Sequence, residues 1–165
     1  MPFGFPISPS RIGPALLAGP APKDDHDVAI LVGEGVTDVL DLREDREWKT
    51  RSAEAAVVEL ERRGIVRHSV PLRDHAAPDW ASLGRAADLI DEIVDAGEPG
   101  GRPARVLYVH CHAGIERTGY VLVAWHARRN RLTYNESLLL LRRHRPELDP
   151  LDDQERLVRE WLRQY

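Results

Sequence analysis

The residues that could do chemistry are concentrated in one stretch, His110 to Gly119, which holds the only cysteine of the chain. Five residues separate that cysteine, Cys111, from Arg117. A cysteine thiolate is a strong nucleophile, and an arginine guanidinium grips two phosphate oxygens with a planar pair of N–H groups. A nucleophile and an anion-binding group in one short segment indicate phosphoryl transfer through sulfur.

The elements around this stretch predict how it is positioned. Residues Arg105 to His110 are typical of a buried strand, and Arg117 to Asn130 of a helix. A strand, a tight turn and a helix start aim several backbone N–H groups and the positive end of the helix dipole at one point. Such a point binds a tetrahedral anion and holds sulfur in its ionised form. The alternative is a buried structural cysteine, which the following Gly114 and Arg117 argue against.

The motif His-Cys-x-x-Gly-x-x-Arg-Thr-Gly resembles the signature of the cysteine-dependent protein tyrosine phosphatase superfamily, and the short chain is similar to its compact dual-specificity branch. Weaker likenesses follow in the expected order: Arg11 to Gly19 resembles the entry strand, Val39 to Arg43 a core strand, and Arg143 to Pro146 the end of a late helix. The resemblance implies a phosphoric monoester hydrolase that forms a phosphocysteine and uses no metal or other cofactor.

The resemblance also implies a role for each residue of the motif. Cys111 is the expected nucleophile, His110 supports the loop through hydrogen bonds, and Thr118 assists departure of the thiolate. For Thr118 a plain helix-start role is the alternative. The expected phosphate-binding loop consists of His112, Ala113, Gly114, Ile115, Glu116 and Arg117.

A second catalytic group is needed because the leaving oxygen requires a proton. The predicted donor is Asp74, which follows a predicted strand over residues 65–72. Ligands of parallel sheets gather at the carboxyl ends of the strands, so we expect Asp74 close to Cys111. The rival is Asp79, whose place before a helical run favours an N-cap.

Other residues keep two interpretations at this point. Arg43 lines the mouth of the site or is a solvated surface residue. Gln154 resembles a water-positioning glutamine of the family, but a plain helix-surface position is the favoured interpretation. The basic run Arg142 to Arg145 is interpreted as a solvated helix end. Glu116 departs from the lysine- or arginine-bearing loops of inositol-phosphate specialists, and its carboxylate disfavours a polyphosphorylated substrate.

The expected substrate is phosphotyrosine on proteins, with phosphoserine and phosphothreonine as weaker substrates. A small metabolite, nucleotide or inositol phosphate is the alternative. Two readings from other classes are a non-catalytic phosphate-binding module and a rhodanese-type sulfurtransferase. The first is expected to lose Cys111, Arg117 or Asp74, and the motif continuation Gly114 to Gly119 disfavours the second.

Alternation of apolar strand-like and helix-like segments predicts one α/β domain, in which helices flank a mostly parallel central sheet of four or five strands. The predicted strands are 15–18, 36–42, 65–72 and 105–110. Predicted helices begin at Asp24 or Asp25, Ser52, Asp79, Arg117, Thr133 and after Pro150. A flexible arm, residues 1–10, precedes the catalytic domain, residues 11–165.

Composition limits the class of protein further. A length of 165 residues suits one domain, and a net charge of −4 argues against nucleic-acid or anionic-membrane partners. The N-terminal residues lack the pattern of a signal peptide, and no apolar run is long enough for a membrane span. One cysteine forms no internal disulfide, which fits a reducing, cytoplasmic setting. The oligomeric state stays open, with a monomer expected.

Overall fold

A twisted sheet with helices on both faces forms the centre of the computed structural model, which describes residues 6–97, 101 and 103–165. Its strands among these residues are β1 (Ser10–Gly13), β2 (Leu16–Gly19), β3 (Asp38–Asp41), β4 (Val66–Ser69) and β5 (Leu107–His110). They lie in the order β1-β2-β5-β3-β4. Strand β5 is central and pairs in parallel with β2 and β3, and β4 adds a further parallel pairing on β3. The predicted mostly parallel α/β sheet is confirmed.

The helices connect these strands and supply the layers on both faces. Within the described ranges they are α1 (Asp25–Gly33), α2 (Asp45–Trp48), α3 (Arg51–Arg62), α4 (Trp80–Val94), α5 (Arg117–Asn130), α6 (Tyr134–Arg142) and α7 (Asp152–Leu162). The predicted caps are confirmed: Asp24 and Asp79 accept from backbone N–H groups of the first turns of α1 and α4, and Thr133 forms a capping box with Glu136.

Helix α5 is the central helix, because α4, α6 and α7 all pack against it. Its first nine residues, Arg117 to Trp125, are all buried. Trp161 of α7 is 2 % exposed and belongs to the same apolar cluster as Tyr120 and Leu122 of α5. The helix that follows the cysteine loop is therefore held rigidly from several sides.

Two parts of the sequence prediction differ from the structure at the N-terminal end. The strand predicted over residues 15–18, which we expected to be a short edge strand, is β2, but β1 pairs with it in antiparallel fashion and forms the edge instead. Strand β1 was not predicted because it has only four residues, most of them half-buried. The expected flexible arm lies outside the described residues over 1–5; beyond them, Ile7 is 5 % exposed and its N–H donates to Asp27 Oδ1 at 3.0 Å.

The predicted surface connection over residues 97–103 also lies partly outside the described residues, at 98–100 and 102. No helix of the described chain is long and apolar enough to cross a membrane.

Asp38 holds three strands together at the end of the sheet opposite the cysteine. Its side chain is 2 % exposed. Arg105 lies two residues before β5, and its Nη2 is 2.6 Å from Asp38 Oδ1. His68 Nε2 of β4 is 2.8 Å from the same oxygen. Burial raises the pKa of Asp38, but the hydrogen bonds from Arg105, His68 and Thr37 outweigh it and lower the pKa to about 2.

Replacing Asp38 by Asn is expected to flatten the acid dependence of stability. The pKa of Asp38 in the folded chain lies below the ordinary value of 3.8, so its contribution is fully present above that value and is lost as the pH falls toward 2. Between about pH 5 and pH 2 the unmodified protein should lose about 2 kcal/mol more unfolding free energy than Asp38→Asn. Urea unfolding across this range measures the difference.

The matched control is Glu61→Gln, which removes a carboxylate from the exposed face of α3. This control should follow the unmodified protein at every pH. Equal acid dependence for Asp38→Asn and the unmodified protein would contradict the assignment.

Candidate active site

The cysteine loop, residues 111–116, connects the end of β5 to the start of α5. Cys111 directly follows β5 and is 2 % exposed. Since β2 and β3 flank β5 in parallel, Gly19 and Asp41 end beside His110 at the same edge of the sheet. The loop therefore occupies the carboxyl edge at which ligands of parallel sheets bind.

Each backbone carbonyl of residues 111–115 accepts a hydrogen bond from a group outside the cysteine loop. His110 Nδ1 lies 2.9 Å from the Cys111 carbonyl oxygen, the Ala21 N–H donates to His112 at 3.0 Å, and the Asp149 N–H donates to Ile115 at 3.1 Å. Arg145 holds the remaining two: Nε donates to Gly114 at 2.7 Å and Nη2 to Ala113 at 3.3 Å. Each of the five carbonyl dipoles is thus fixed by the surrounding fold.

The amide groups of the same loop have no such partners. In the described part of the chain, no N–H of residues 112–117 donates to a protein acceptor. Carbonyls held on one side of a tight loop leave its N–H groups directed to the other, which makes a concave anion-binding nest. The first turn of α5 adds its own unpaired N–H groups and the positive end of its dipole. The sequence prediction of an amide-lined loop agrees with this arrangement.

Gly114 permits the turn of the loop. Its φ of +68° belongs to the left-handed region that glycine adopts without strain. A Cβ at this position would collide with the carbonyl carbon and oxygen of Gly19 at the end of β2. The loop and β2 consequently pack backbone to backbone.

Arg117, the first residue of α5, is 1 % exposed and points its guanidinium into a ring of acceptors. Glu47 of α2 takes both terminal nitrogens, with Nη1 to Oε2 at 2.6 Å and Nη2 to Oε1 at 2.8 Å. Burial lowers the pKa of Arg117, but the hydrogen bonds to Glu47 outweigh this and raise it above its usual range. The guanidinium therefore stays charged although it is buried.

Glu47 contacts both terminal nitrogens of the guanidinium and does not contact Nε. Arg117 Nε is buried and has no hydrogen-bond partner within the described chain. In a guanidinium, Nε–H and one N–H of Nη2 point the same way and form the pair that binds two oxygens of an oxyanion. An unpaired donor this deeply buried costs free energy unless a ligand accepts from it.

His110 is buried at 0 % exposure and is neutral around pH 7, because burial lowers its pKa to about 4 against the opposing charge of Asp41. A carbonyl oxygen only accepts, so Nδ1 carries the proton that bonds Cys111. Nε2 of His110 has no partner among the described residues, and neither has the buried Oγ1 of Thr118. These positions match the supporting places predicted for the two side chains; their roles stay predictions.

Asp74 lies beside Arg117, as the topology predicted. Its Oδ1 is 3.2 Å from Arg117 Nη2, and its backbone N–H donates to Glu44 Oε2 at 3.3 Å. The side chain is 34 % exposed. Asp79, the rival, accepts from the Ser82 N–H at 2.8 Å as a helix cap.

Two expectations about single side chains are wrong. Gln154 is fully buried, not on the helix surface, and its Nε2 donates to Glu116 Oε1 and to the Ala76 carbonyl. Arg145, interpreted as part of a solvated helix end, is 6 % exposed and supports the loop. Arg43 had two interpretations, of which the solvated one is excluded, because the side chain is 4 % exposed and forms a two-pronged ion pair with Asp41.

Sequence reasoning also missed α2 and its Glu47. Four residues are too short for a helical period, and an exposed-looking Asp-Arg-Glu-Trp stretch gives no sign of a buried partner. The only available signal was position, because Glu47 follows soon after the carboxyl end of β3.

A cleft of about 710 Å³ adjoins the loop. Its lining includes Pro20, Pro22, Thr50, Ala53 and, from the loop itself, His112. Its volume is adequate for the part of a substrate that lies beyond a phosphate.

Comparison with known proteins identifies the family. The model of the family described as "Tc-R-P: Polymorphic toxin system, DSP-PTPase phosphatase" matches residues 18–131. The chain belongs to this DSP-PTPase phosphatase family. Its membership places it among the cysteine-dependent phosphatases of the tyrosine and dual-specificity type, as the motif predicted.

Individual relatives agree with this family. Dual specificity protein phosphatase 1 of Mus musculus is 35 % identical over 83 residues, which are 50 % of this chain and 21 % of the relative. The human protein of the same name is 34 % identical over the same shares. The matched segment thus spans about a fifth of the length of these curated relatives.

Solved structures match over nearly the whole chain. Tk-PTP in its active form superposes with a TM-score of 0.79 and 25 % identity, covering 96 % of this chain and 98 % of that one. Kinase associated phosphatase, with a serine in place of its catalytic site cysteine, has a TM-score of 0.83 at 16 % identity and covers 96 % of both chains. The second likeness concerns the fold alone.

Replacing Gly114 by Ala in this DSP-PTPase phosphatase is expected to destabilise the fold. The new Cβ has to displace the backbone of Gly19 and adopt a left-handed conformation, and together these cost at least about 2 kcal/mol. Urea unfolding at neutral pH measures the loss.

The matched control is Gly33→Ala at the end of α1, where an added Cβ meets nothing within 4 Å. Its stability should stay within about 1 kcal/mol of the unmodified protein. A Gly114→Ala variant as stable as this control would contradict the close packing of the loop on β2.

Proposed function

We propose that this protein is a metal-independent phosphatase that hydrolyses phosphomonoesters through a phosphocysteine at Cys111, with phosphotyrosine on proteins as its main substrate and phosphoserine and phosphothreonine as weaker ones. The observation that carries the proposal is the cysteine loop: the carbonyls of residues 111–115 accept hydrogen bonds from the surrounding protein, while the N–H groups of residues 112–117 have no acceptor in the described part of the chain. A thiol at the base of such a nest meets the phosphorus of any phosphate bound in it.

The first step transfers the phosphoryl group to sulfur. The Cys111 thiolate attacks phosphorus, the bond from phosphorus to the ester oxygen breaks, and Asp74 gives its proton to the departing oxygen. In the second step water attacks the phosphocysteine, Asp74 takes the proton of that water, and the sulfur leaves as thiolate. The hydroxyl of Thr118, which is buried and has no partner among the described residues, assists the departure of that sulfur in this proposal, and His110 holds the Cys111 carbonyl by a hydrogen bond.

Electrostatic stabilisation supplies most of the expected rate enhancement. The equatorial oxygens of the transferring group accept hydrogen bonds from the loop amides of residues 112–117 and from the Nε–H group of Arg117. These donors are already oriented before substrate arrives, because Glu47 and Arg145 hold the side chain and the loop in place. Little reorganisation is therefore needed at the moment of reaction.

The cleft beside the loop favours a substrate with one phosphate and an uncharged alcohol part. Each of the four charged side chains that line it is already engaged: Lys23 lies 2.6 Å from Asp27, Asp24 caps α1, Arg43 is paired with Asp41, and Glu47 with Arg117. A second phosphate would find no unpaired cation along these walls. Proline and alanine side chains suit the aromatic ring of phosphotyrosine.

The family description comes from polymorphic toxin systems, so phosphoproteins of a competing cell are candidate targets. We propose a reducing, cytoplasmic site of action, because the nucleophile must remain a thiolate.

Replacing Cys111 by Ser is expected to abolish turnover and to retain substrate binding. Phosphate release from 4-nitrophenyl phosphate in the presence of a metal chelator should fall at least ~10⁴-fold, while a phosphotyrosine peptide should still bind, as measured by calorimetry. Normal hydrolysis by this variant would refute the assignment of the nucleophile. Thiocyanate formation from thiosulfate by the unmodified protein would instead establish a sulfurtransferase.

Replacing Asp74 by Asn is expected to remove the fall in rate on the alkaline side of the pH profile. Asp74 must be protonated in the first step, so the unmodified protein should have a bell-shaped profile with a mildly acidic optimum. Its rate on a phosphotyrosine peptide should exceed that of the variant by about 10²-fold or more.

The matched control is Asp79→Asn, since asparagine caps a helix as well as aspartate does. This control should retain the bell shape and the rate. An unchanged profile for Asp74→Asn, or equal losses in both variants, would show that Asp74 is not the acid. A screen of phosphopeptides, nucleotides, sugar phosphates and inositol phosphates tests the substrate class.

A further inference from the structure

The segment that carries Asp74 touches the end of the cysteine loop through the two residues that follow Asp74. His75 Nδ1 lies 2.9 Å from Glu116 Oε2. Gln154 of α7 donates from Nε2 to Glu116 Oε1 and, at 3.2 Å, to the carbonyl of Ala76. Glu116 thus receives one donor on each carboxylate oxygen, and one of these donors also binds the segment of Asp74.

The orientation of the Gln154 amide is fixed by a further contact. Its Oε1 accepts from the Leu151 N–H at 2.8 Å, so Nε2 must face Glu116 and Ala76. Gln154 is fully buried and the Glu116 side chain is 15 % exposed. Breaking this junction would leave buried polar groups unpaired, which typically costs about 1–3 kcal/mol for each group.

His75 adopts a backbone conformation that a histidine adopts only at a cost. Its φ is +53°, in the left-handed region, where a side chain other than glycine is strained by about 1–3 kcal/mol. Such strain persists where surrounding contacts enforce it. The imidazole, 74 % exposed, lies with Nδ1 at Glu116 and Nε2 at 3.5 Å from Asp74 Oδ2.

We propose that His75, Glu116 and Gln154 form a latch that holds the Asp74 segment closed over the phosphate-binding loop, and that they thereby act as positioning residues for the general acid. The proposal deepens the proposed function and rests on Asp74 being the proton donor. Glu116 immediately precedes Arg117 at the N-cap position of α5, where its side chain makes no capping hydrogen bond, so the latch ties the acid to the start of the buried central helix.

This arrangement also gives Glu116 a role other than the selection among substrates. Its carboxylate faces His75 and Gln154 and is engaged in the latch, so it shapes the rate of proton transfer more than the choice among phosphates. The latch acts on the step in which the leaving oxygen is protonated. Its loss should therefore be felt most by substrates with poor leaving groups.

Two variants open the latch without removing the acid. Glu116→Gln retains an acceptor for Gln154 and removes the charge that His75 binds, and His75→Asn retains a residue that tolerates the left-handed backbone. With phenyl phosphate, a poor leaving group, each should lower kcat about tenfold, a fraction of what a general acid contributes. With 4-nitrophenyl phosphate kcat should fall less than about threefold, and inhibition by vanadate should stay within about twofold.

The double variant distinguishes a shared contact from two separate effects. If His75 and Glu116 act through one another, the double variant should be no slower than the slower single variant. The matched control is Glu155→Gln, which removes a partly exposed carboxylate on α7 that pairs with Arg159 and should behave as the unmodified protein. Additive losses, or equal losses with both substrates, would overturn the latch.

A measurement that needs no turnover separates the latch from the proposed function. Backbone ¹⁵N relaxation should give lower order parameters for residues 74–77 in Glu116→Gln and His75→Asn than in the unmodified protein and in Glu155→Gln. Unchanged order parameters would refute the latch whatever the activity. If they fall as expected while Asp74→Asn has no leaving-group defect, the latch stands and the assignment of Asp74 as the acid fails.

Discussion

The candidate active site depends on the hydrogen bonds that five consecutive backbone carbonyl groups accept from the surrounding protein. A tight loop between a strand and a helix does not by itself direct its amides to one point, because its peptide planes can turn either way. Here donors from four separate places, including Ala21, Arg145 and Asp149, take the carbonyls of residues 111–115. With the carbonyls engaged, the amides converge, and a concentrated positive potential arises from neutral groups.

Carboxylates beside the loop compensate the buried charge of Arg117. Arg117 would be costly to bury alone, and Glu47 compensates its charge from the far end of the guanidinium. Asp74 Oδ1 lies 3.2 Å from Arg117 Nη2. The two carboxylates that share this guanidinium differ in exposure, with 16 % for the side chain of Glu47 and 34 % for that of Asp74.

The sequence predicted those parts of the fold and site that local patterns encode. Strand β5, the loop and helix α5 were placed correctly because an apolar run, two glycines and a helical period lie next to each other in the chain. The caps Asp24, Asp79 and Thr133 were found because capping is a local hydrogen bond. Glu47, Arg145 and Gln154 were missed or misread because their burial results from contacts with distant segments, and polar side chains carry no sign of such contacts in their own neighbourhood.

The wide spacing of the loop's supports along the chain has a consequence for biosynthesis. Ala21 is made long before Cys111, and Arg145 and Asp149 well after it. A growing or clipped polypeptide that ends before α6 therefore contains the thiol and the motif but lacks the donors to the carbonyls of residues 113–115. The orientation of the cysteine loop is completed only when the last part of the chain has folded onto it.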